Sequence, residues 1–313
     1  MPTAATEPVE LWPELKLSRA MLDNHRAFPH AFLRSALFSS RKFSGGAKRQ
    51  IASADKPIHI AALNNYRLQQ VAGERLDQGD CEVYVWLVNR AYRAGLAGKA
   101  EARIFFTREE ALSELGRARG TKNFNLFHAS LLRLFKAEIA YDIPSAEGCT
   151  RLISSIEKPK GVSKKKYDYE VVLSAKGGDF FRGQSFTKIL NEERAKLKDY
   201  LSKWLHAFYS SHNLPHRIKA DTIKELADRT KNKGTGDQIE TPEFDKIWRS
   251  KLDAALGEVK KVTGWPTCEV VQDGNGSAKV IVIKPPVKPK SRKSREGSQD
   301  AAGRKHKNTT SED

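Results

Sequence analysis

Apolar residues recur at helical spacing in several stretches of this chain, with short strand-like runs between them. Asp80–Ala94 carries Val83, Leu87 and Ala91 on one row and Val85, Val88 and Tyr92 on the next, which predicts a helix. Ala102–Phe106 reads as a strand, and Thr107 followed by Glu109 and Glu110 predicts a capped helix running to Gly116. A longer helix is expected over Lys122–Lys136, followed by β runs at Glu138–Ile143, Thr150–Glu157 and Tyr167–Leu173. A short β-like run at 54–63 precedes them all.

The same plan then returns. Glu193–His212 is expected to be one long amphipathic helix, Arg217–Lys219 a very short strand, and Asp221 with Thr222 the cap of a helix over IKELADR. Pro242–Val262 predicts a second long helix, and Cys268–Gln272 with Lys279–Ile283 flank DGNGSA, a hairpin signal. Helix, strand, helix, turn, helix and β-wing, in that order and twice over, is the order of a winged-helix domain. The expected fold class is therefore α+β, with tandem winged-helix domains over 31–180 and 181–284. A flexible N-terminal arm, 1–30, is expected from Pro2, Pro8, Pro13 and Pro29, with a short amphipathic piece around Leu11–Leu22. The segment 285–313 has almost no apolar residues and reads as a disordered basic tail.

Charge changes the picture more than composition does. The 313 residues carry a net charge of +17, of which the chain from Lys284 onward holds +5 and the preceding body +12. A sticky tail alone does not account for that balance, and a polyanionic partner, nucleic acid first, is expected. Cys81, Cys149 and Cys268 lie far apart with no CxxC, which argues against a disulfide framework and a zinc finger. No run of about 18 apolar residues is present, and Met1–Arg19 lacks a basic start followed by an apolar stretch. No membrane partner and a cytoplasmic location are expected.

At about 100° per residue, the Lys122–Lys136 helix sorts into two sides. Phe124, Phe127, Leu131, Leu134 and Phe135 form a core stripe; Lys122, Asn125, Ala129, Arg133 and Lys136 lie opposite, with Leu126 and Ser130 beside them. Such a face suits a major groove, where Lys and Arg meet phosphate or guanine, Asn pairs with adenine and small apolar groups touch a thymine methyl. Arg117, Arg119 and Asn123 at the preceding turn and first helical turn add donors. In the second long helix Phe244, Trp248, Leu252, Ala255, Val259 and Val262 form the stripe. Lys246, Arg249, Ser250 and Lys260 oppose it, with Asp253 among them. Arg229, Lys231 and Lys233 sit in the loop before that helix. The KPKGVSKKK segment, with Lys160, Lys164, Lys165 and Lys166, is the candidate wing tip. An ordinary solvated face accounts for the first helix equally simply and the second face is less decisive, whereas for the 158–166 segment contact is favoured over a solubilising loop because it follows a basic helix.

Catalysis finds no seat. The nearest match to a phosphate-binding GxxxxGK[ST] loop, Gly95–Ala100, has the wrong spacing and no hydroxyl. His206, His212 and His216 have no acid or cysteine to complete a ligand set, and His59 has no partner histidine two residues away. A non-enzyme with no cofactor and no metal is expected.

The motifs also form a resemblance. LRSALFSSR at 33–41, the stretch around Leu76–Leu87, IFFTREEALSELG at 104–116, the 122–136 helix and LHAFYSSHNLPHRIKADTIKEL at 205–226 follow one another as in TrfA-type plasmid replication initiators. The likeness spans Leu33 to Ile283. It implies an iteron-binding Rep protein of two winged-helix domains that binds directly repeated double-stranded origin DNA and promotes opening of an adjacent AT-rich region. It further implies recruitment of a host initiator and replicative helicase, a homodimer in equilibrium with monomer, and DNA-contacting helices at Lys122–Lys136 and Glu243–Lys260. Some members carry a Gln-Leu-x-Leu-Phe sliding-clamp peptide; here Glu14–Ser18 lacks the Gln and the Phe. The alternative outside this role is a transcriptional repressor built on the same modules, which reads a palindrome as a dimer.

Overall fold

Trp12, in the segment expected to be a loose arm, is 1% exposed in the computed structural model, which describes residues 11–43, 48–158, 167–230, 242–272 and 277–285. Its ring lies 6.1 Å from that of Tyr92 and 5.9 Å from that of Phe181, and its backbone N–H donates to the Lys99 carbonyl. Gly178 makes room for it: a Cβ there would stand 3.3 Å from the Trp12 Cα. Helix α1 (Arg19–Asn24) starts where the Ser18 hydroxyl accepts from the Met21 N–H, and strand β1 (His25–Pro29) pairs antiparallel with Phe186–Leu190. Residues 11–30 are thus packed onto the first body through Trp12, Leu15, Leu22, Ala27 and Phe28 and do not form a loose arm. One buried tryptophan and a strand supplied from far along the chain outweigh the prolines. Residues 1–10 lie outside the described set, and the amphipathic piece is helical only over α1.

Helix α2 (His30–Leu33) leads to strands β2 (Ile51–Ala52), β3 (Ile58–Ile60) and β4 (Arg67–Glu74). Helix α3 (Gln78–Arg93) begins in a reciprocal cap, the Asp77 carboxylate accepting from the Gly79 and Asp80 N–H groups while Asp80 accepts from the Asp77 N–H. It is buried along nearly its whole length, because α5, β1, β5 and α7 all pack on it. Strand β5 (Ala102–Phe106) turns Ala102, Ile104 and Phe106 inward, and helix α4 (Arg108–Glu114) starts in the expected Thr107–Glu110 capping box. Helix α5 (Thr121–Lys136) follows the Gly120 turn. Strands β6 (Glu138–Ile143), β7 (Ala146–Arg151), β8 (Ile153–Glu157) and β9 (Tyr169–Leu173) complete the unit.

The run expected at Thr150–Glu157 is two strands belonging to two sheets. β7 pairs with β6 in the five-stranded sheet of β2, β3, β4, β6 and β7, whereas β8 pairs with β9 in the order β5–β9–β8. Leu152, fully buried at the corner, marks the switch.

Strand β10 (Phe186–Leu190) then leads into α6 (Asn191–Lys196) and α7 (Tyr200–Ser210). The single helix expected over Glu193–His212 is broken at Leu197, whose backbone is extended (ψ 123°) and whose side chain is buried; Asp199 caps the new start by accepting from the Leu201 N–H. After β11 (Ile218–Lys219), helix α8 (Ala220–Leu226) begins without a side-chain cap, so Asp221 occupies its first turn instead of capping it. Helix α9 (Pro242–Thr263) and strands β12 (Thr267–Gln272) and β13 (Ala278–Ile283) close the fold. The hairpin tip at 273–276 and the chain from 286 onward lie outside the described residues.

The strand order β11–β13–β12 is that of β5–β9–β8, and helix, strand, helix, helix, strand, strand make up each unit, with β6 and β7 of the five-stranded sheet inserted between α5 and β8 in the first. The fold is mixed α+β with this plan occurring twice. One hydrophobic core runs from Trp12 to Ile189 with Ala207, the second from Leu197 to Val282. The cores therefore part beyond Ile189 and not at 180/181, because β10 is bound to β1.

The 33–41 segment ties the two bodies together. Arg34 donates to the Ser211 hydroxyl (3.2 Å) and carbonyl (2.5 Å), and the Trp204 indole donates to the Ser35 carbonyl (3.2 Å). The Ser40 hydroxyl donates to the Ala227 carbonyl at 2.6 Å and accepts from Arg229 at 2.7 Å. On the other side Arg75 donates to the carbonyls of Ala36 and Leu37.

Candidate nucleic-acid interface

Two helices, α5 and α9, hold the same place in their units. In α5, Phe127, Leu131 and Leu134 are fully buried and Phe124 and Phe135 pack at the margin. The opposite side is open: Lys122, Asn125 and Lys136 are exposed, and Arg119 is exposed at the turn before the helix. None of these three cations makes an ion pair among the described residues. Ala129 is half-buried between them. Lys158, the first residue of the candidate wing, lies beside α5, its Nζ 3.2 Å from His128 Nε2 and 5.2 Å from the centre of the Tyr169 ring. Lys160, Lys164, Lys165 and Lys166 lie outside the described residues.

Three residues expected on this face serve the protein instead. Arg133 donates to both carboxylate oxygens of Asp80, at 2.7–3.1 Å. Burial opposes its charge, but Asp80 outweighs that and its pKa is raised. Arg117 reaches Glu82 and the Gly79 carbonyl on α3 of the same body, each at 3.3 Å. Asn123 spends its amide on the Ala118 carbonyl at 2.7 Å, which closes the turn before α5. Helical periodicity placed Arg133 among polar neighbours; it carries no information about an acid 53 residues away.

In α9, Trp248, Leu252, Ala255 and Val259 are buried, while Lys246, Arg249 and Ser250 are exposed as expected. Lys251, Lys260 and Lys261 add cations to the open side, and Asp253 is exposed among them. The side chain of Phe244, expected in the stripe, is outside the described set, as are Lys231 and Lys233. Arg229 is a correction: its guanidinium donates to the Ser40 hydroxyl at 2.7 Å and to the Ser40 carbonyl at 2.6 Å, and burial lowers its pKa. It fastens the second body to the first and is not presented to a ligand.

A buried charge cluster backs the interface. Glu82 meets Lys203 Nζ at 2.6 Å, Arg117 at 3.3 Å and Arg194 Nε at 3.6 Å. Burial raises the Glu82 pKa, but these cations outweigh it and hold the carboxyl at about 2. Of the histidines at 206, 212 and 216, His206 is buried with Nε2 at 3.2 Å from Glu193, His212 is half-buried with Nδ1 2.8 Å from the Phe208 carbonyl, and His216 is exposed. Among the described residues no helix is long and apolar enough to cross a membrane.

The arrangement presents cations and polar groups on two helices, each backed by a packed core, which suits a polyanion. Neither the family models nor the curated proteins compared with this sequence give a match. Solved structures do. The chain is similar to the Pi initiator protein crystallised with iteron DNA, at 16% identity and a TM-score of 0.42, over 64% of this chain and 91% of that one. It is also similar to domains 2 and 3 of RctB. A selenomethionine form gives 12% identity and a TM-score of 0.46, covering 78% of this chain and 95% of that one, and a second structure 12% and 0.44, covering 76% and 91%.

Proposed function

We propose that the chain is a sequence-specific duplex-DNA-binding protein made of two winged-helix modules, with α5 and α9 as the groove-entering helices. One observation carries the reading: apart from β6 and β7, inserted in the first unit, the same order of elements and strands occurs twice, and in each case the long helix has a buried apolar back and an open cationic face. Arg119, Lys122 and Lys136, with Lys246 and Arg249, neutralise phosphates, while Asn125 and Ser250 contact base edges. Two modules on one duplex gain from effective concentration, so two weakly selective helices together choose a site.

The order of motifs shared with TrfA-type initiators supports the finer role, a plasmid replication initiator that binds direct repeats in the bacterial cytoplasm. Host initiator and helicase are its further partners, and the monomer is the form that binds a repeat. The chain is not an enzyme in this reading. Footprinting on the DNA beside its own coding sequence tests it. Protection of several direct repeats next to an AT-rich stretch is expected, whereas one protected palindrome bound by a dimer assigns the protein to repression. If about 6–10 phosphates are neutralised, affinity falls about 10³–10⁵-fold between 50 and 200 mM salt. A flat salt response overturns duplex binding altogether.

A further inference from the structure

Counted from their first residues, α5 and α9 can be laid over one another, and the buried positions of their middle turns correspond although other positions, such as Ser130 and Lys251, do not. Phe127 and Trp248 coincide, as do Leu131 and Leu252, and Leu134 and Ala255; all six are buried. The residue just before each buried aromatic is a branched aliphatic facing outward, Leu126 and Ile247, and each is 52% exposed. Their neighbours correspond too. Asn125 and Lys246 precede them, and three residues later stand the small Ala129 and Ser250. The exposed Leu132, by contrast, has Asp253 as its counterpart, so the coincidence at Leu126 and Ile247 is not a general oiliness of both helices.

An aliphatic side chain offers nothing to a phosphate or to the hydrogen-bonding edge of a base. Major-groove surface carries one apolar feature, the 5-methyl group of thymine. Lys122 and Asn125 stand near Leu126, and Lys246 and Lys251 near Ile247, which suits a polyanion better than an apolar protein surface. The small residue one turn on lets the helix lie close to the groove floor. We infer that Leu126 and Ile247 are equivalent specificity residues, each packing on the 5-methyl of a thymine, so that each module selects one T·A pair. This rests on the duplex-binding reading above.

The test uses the full chain and a random-sequence duplex pool. The enriched duplex is then remade with deoxyuridine in place of each thymine in turn, which removes only the methyl group. At two positions uracil should weaken binding by about three- to fivefold, the equilibrium equivalent of one buried methyl group. Leu126→Ala should abolish the penalty at one of these and leave the other, and Ile247→Ala should do the reverse. Leu126→Gln should behave as Leu126→Ala, and all three variants should melt with the parent because the side chains are half in solvent. Uracil tolerated everywhere, or a penalty surviving both alanine variants, overturns the inference while leaving duplex binding intact. A change in the sedimentation of the free L126A chain with an unchanged thymine-to-uracil ratio also overturns it, assigning Leu126 to a contact between proteins. A pool with no enriched sequence overturns the proposed function itself, and this inference with it.

Discussion

Arg133 holds Asp80 through three hydrogen bonds of 2.7–3.1 Å, joining the last half of α5 to the first turn of α3, with Asp80 fully buried. Arg49 approaches the same carboxylate at 3.5 Å and also bonds Asp77. Asp77 has its pKa raised by burial and by the Asp80 charge beside it. Removing Arg133 therefore takes from the buried Asp80 its closest cation and leaves Arg49 to serve two neighbouring acids. Arg133→Ala should cost about 3–5 kcal/mol of stability, the usual penalty for orphaning a buried charge. Thermal melting reads this, and Arg133→Lys should recover only part, because an ammonium cannot copy the two-pronged contact. Melting at the parent temperature would return Arg133 to the binding face.

The exposed cations should behave oppositely. Arg119→Ala, Lys122→Ala and Lys136→Ala should each leave stability within about 0.5 kcal/mol. Each should weaken binding to all duplexes alike and lower the slope of log affinity against log salt by about one. Asn125→Ala should instead relax the choice of base at one position, worth about 1–3 kcal/mol of discrimination. Fluorescence anisotropy with the enriched duplex and single-base variants of it separates the two behaviours.

The fit between the bodies depends on Arg229 and Ser40, whose contacts are 2.6 and 2.7 Å. Arg229→Ala should leave the buried Ser40 carbonyl short of a donor and cost about 1–3 kcal/mol. Because the cores are separate, calorimetry should show the unfolding endotherm broaden or split as the joint loosens. A single unshifted transition would rule out a role for this pair in coupling the two bodies.

Acid should undo the structure in two stages. Burial, then the charges of Arg34 and His212, lower the His30 pKa from 6.5 to about 4, so the folded state favours the neutral ring. That stability is present above pH 6.5 and lost as pH falls toward 4. Glu82, held at about 2 against an ordinary 4.5, contributes stability above pH 4.5 that disappears as pH falls toward 2. Urea midpoints measured across this range should fall in both windows. Glu82→Gln should remove the lower step and His30→Gln the upper one.

Periodicity made the two long helices, their apolar backs and the β5–α4 cap legible, because each depends on neighbours within one or two turns. Arg119, Lys122, Asn125 and Lys136 stayed on the open face for the same reason. Periodicity did not reach the break at Leu197, which follows from that side chain entering the second core, nor the division of 150–157 between sheets, which follows from separate partners for β7 and β8.

By itself, the order of residues determined the repeated succession of helices and strands, the excess of positive charge and the side of each helix that turns inward. Only the tertiary structure decided which cations remain available. Arg117, Arg133 and Arg229 resemble Lys122 as text, yet each meets an acid, a carbonyl or a hydroxyl from another element. The physical reason is range. Side-chain facing is set by a local 3.6-residue turn, whereas the pairing of a charge is set by whichever distant group the folded chain brings within 3 Å or so, and no local pattern encodes that distance.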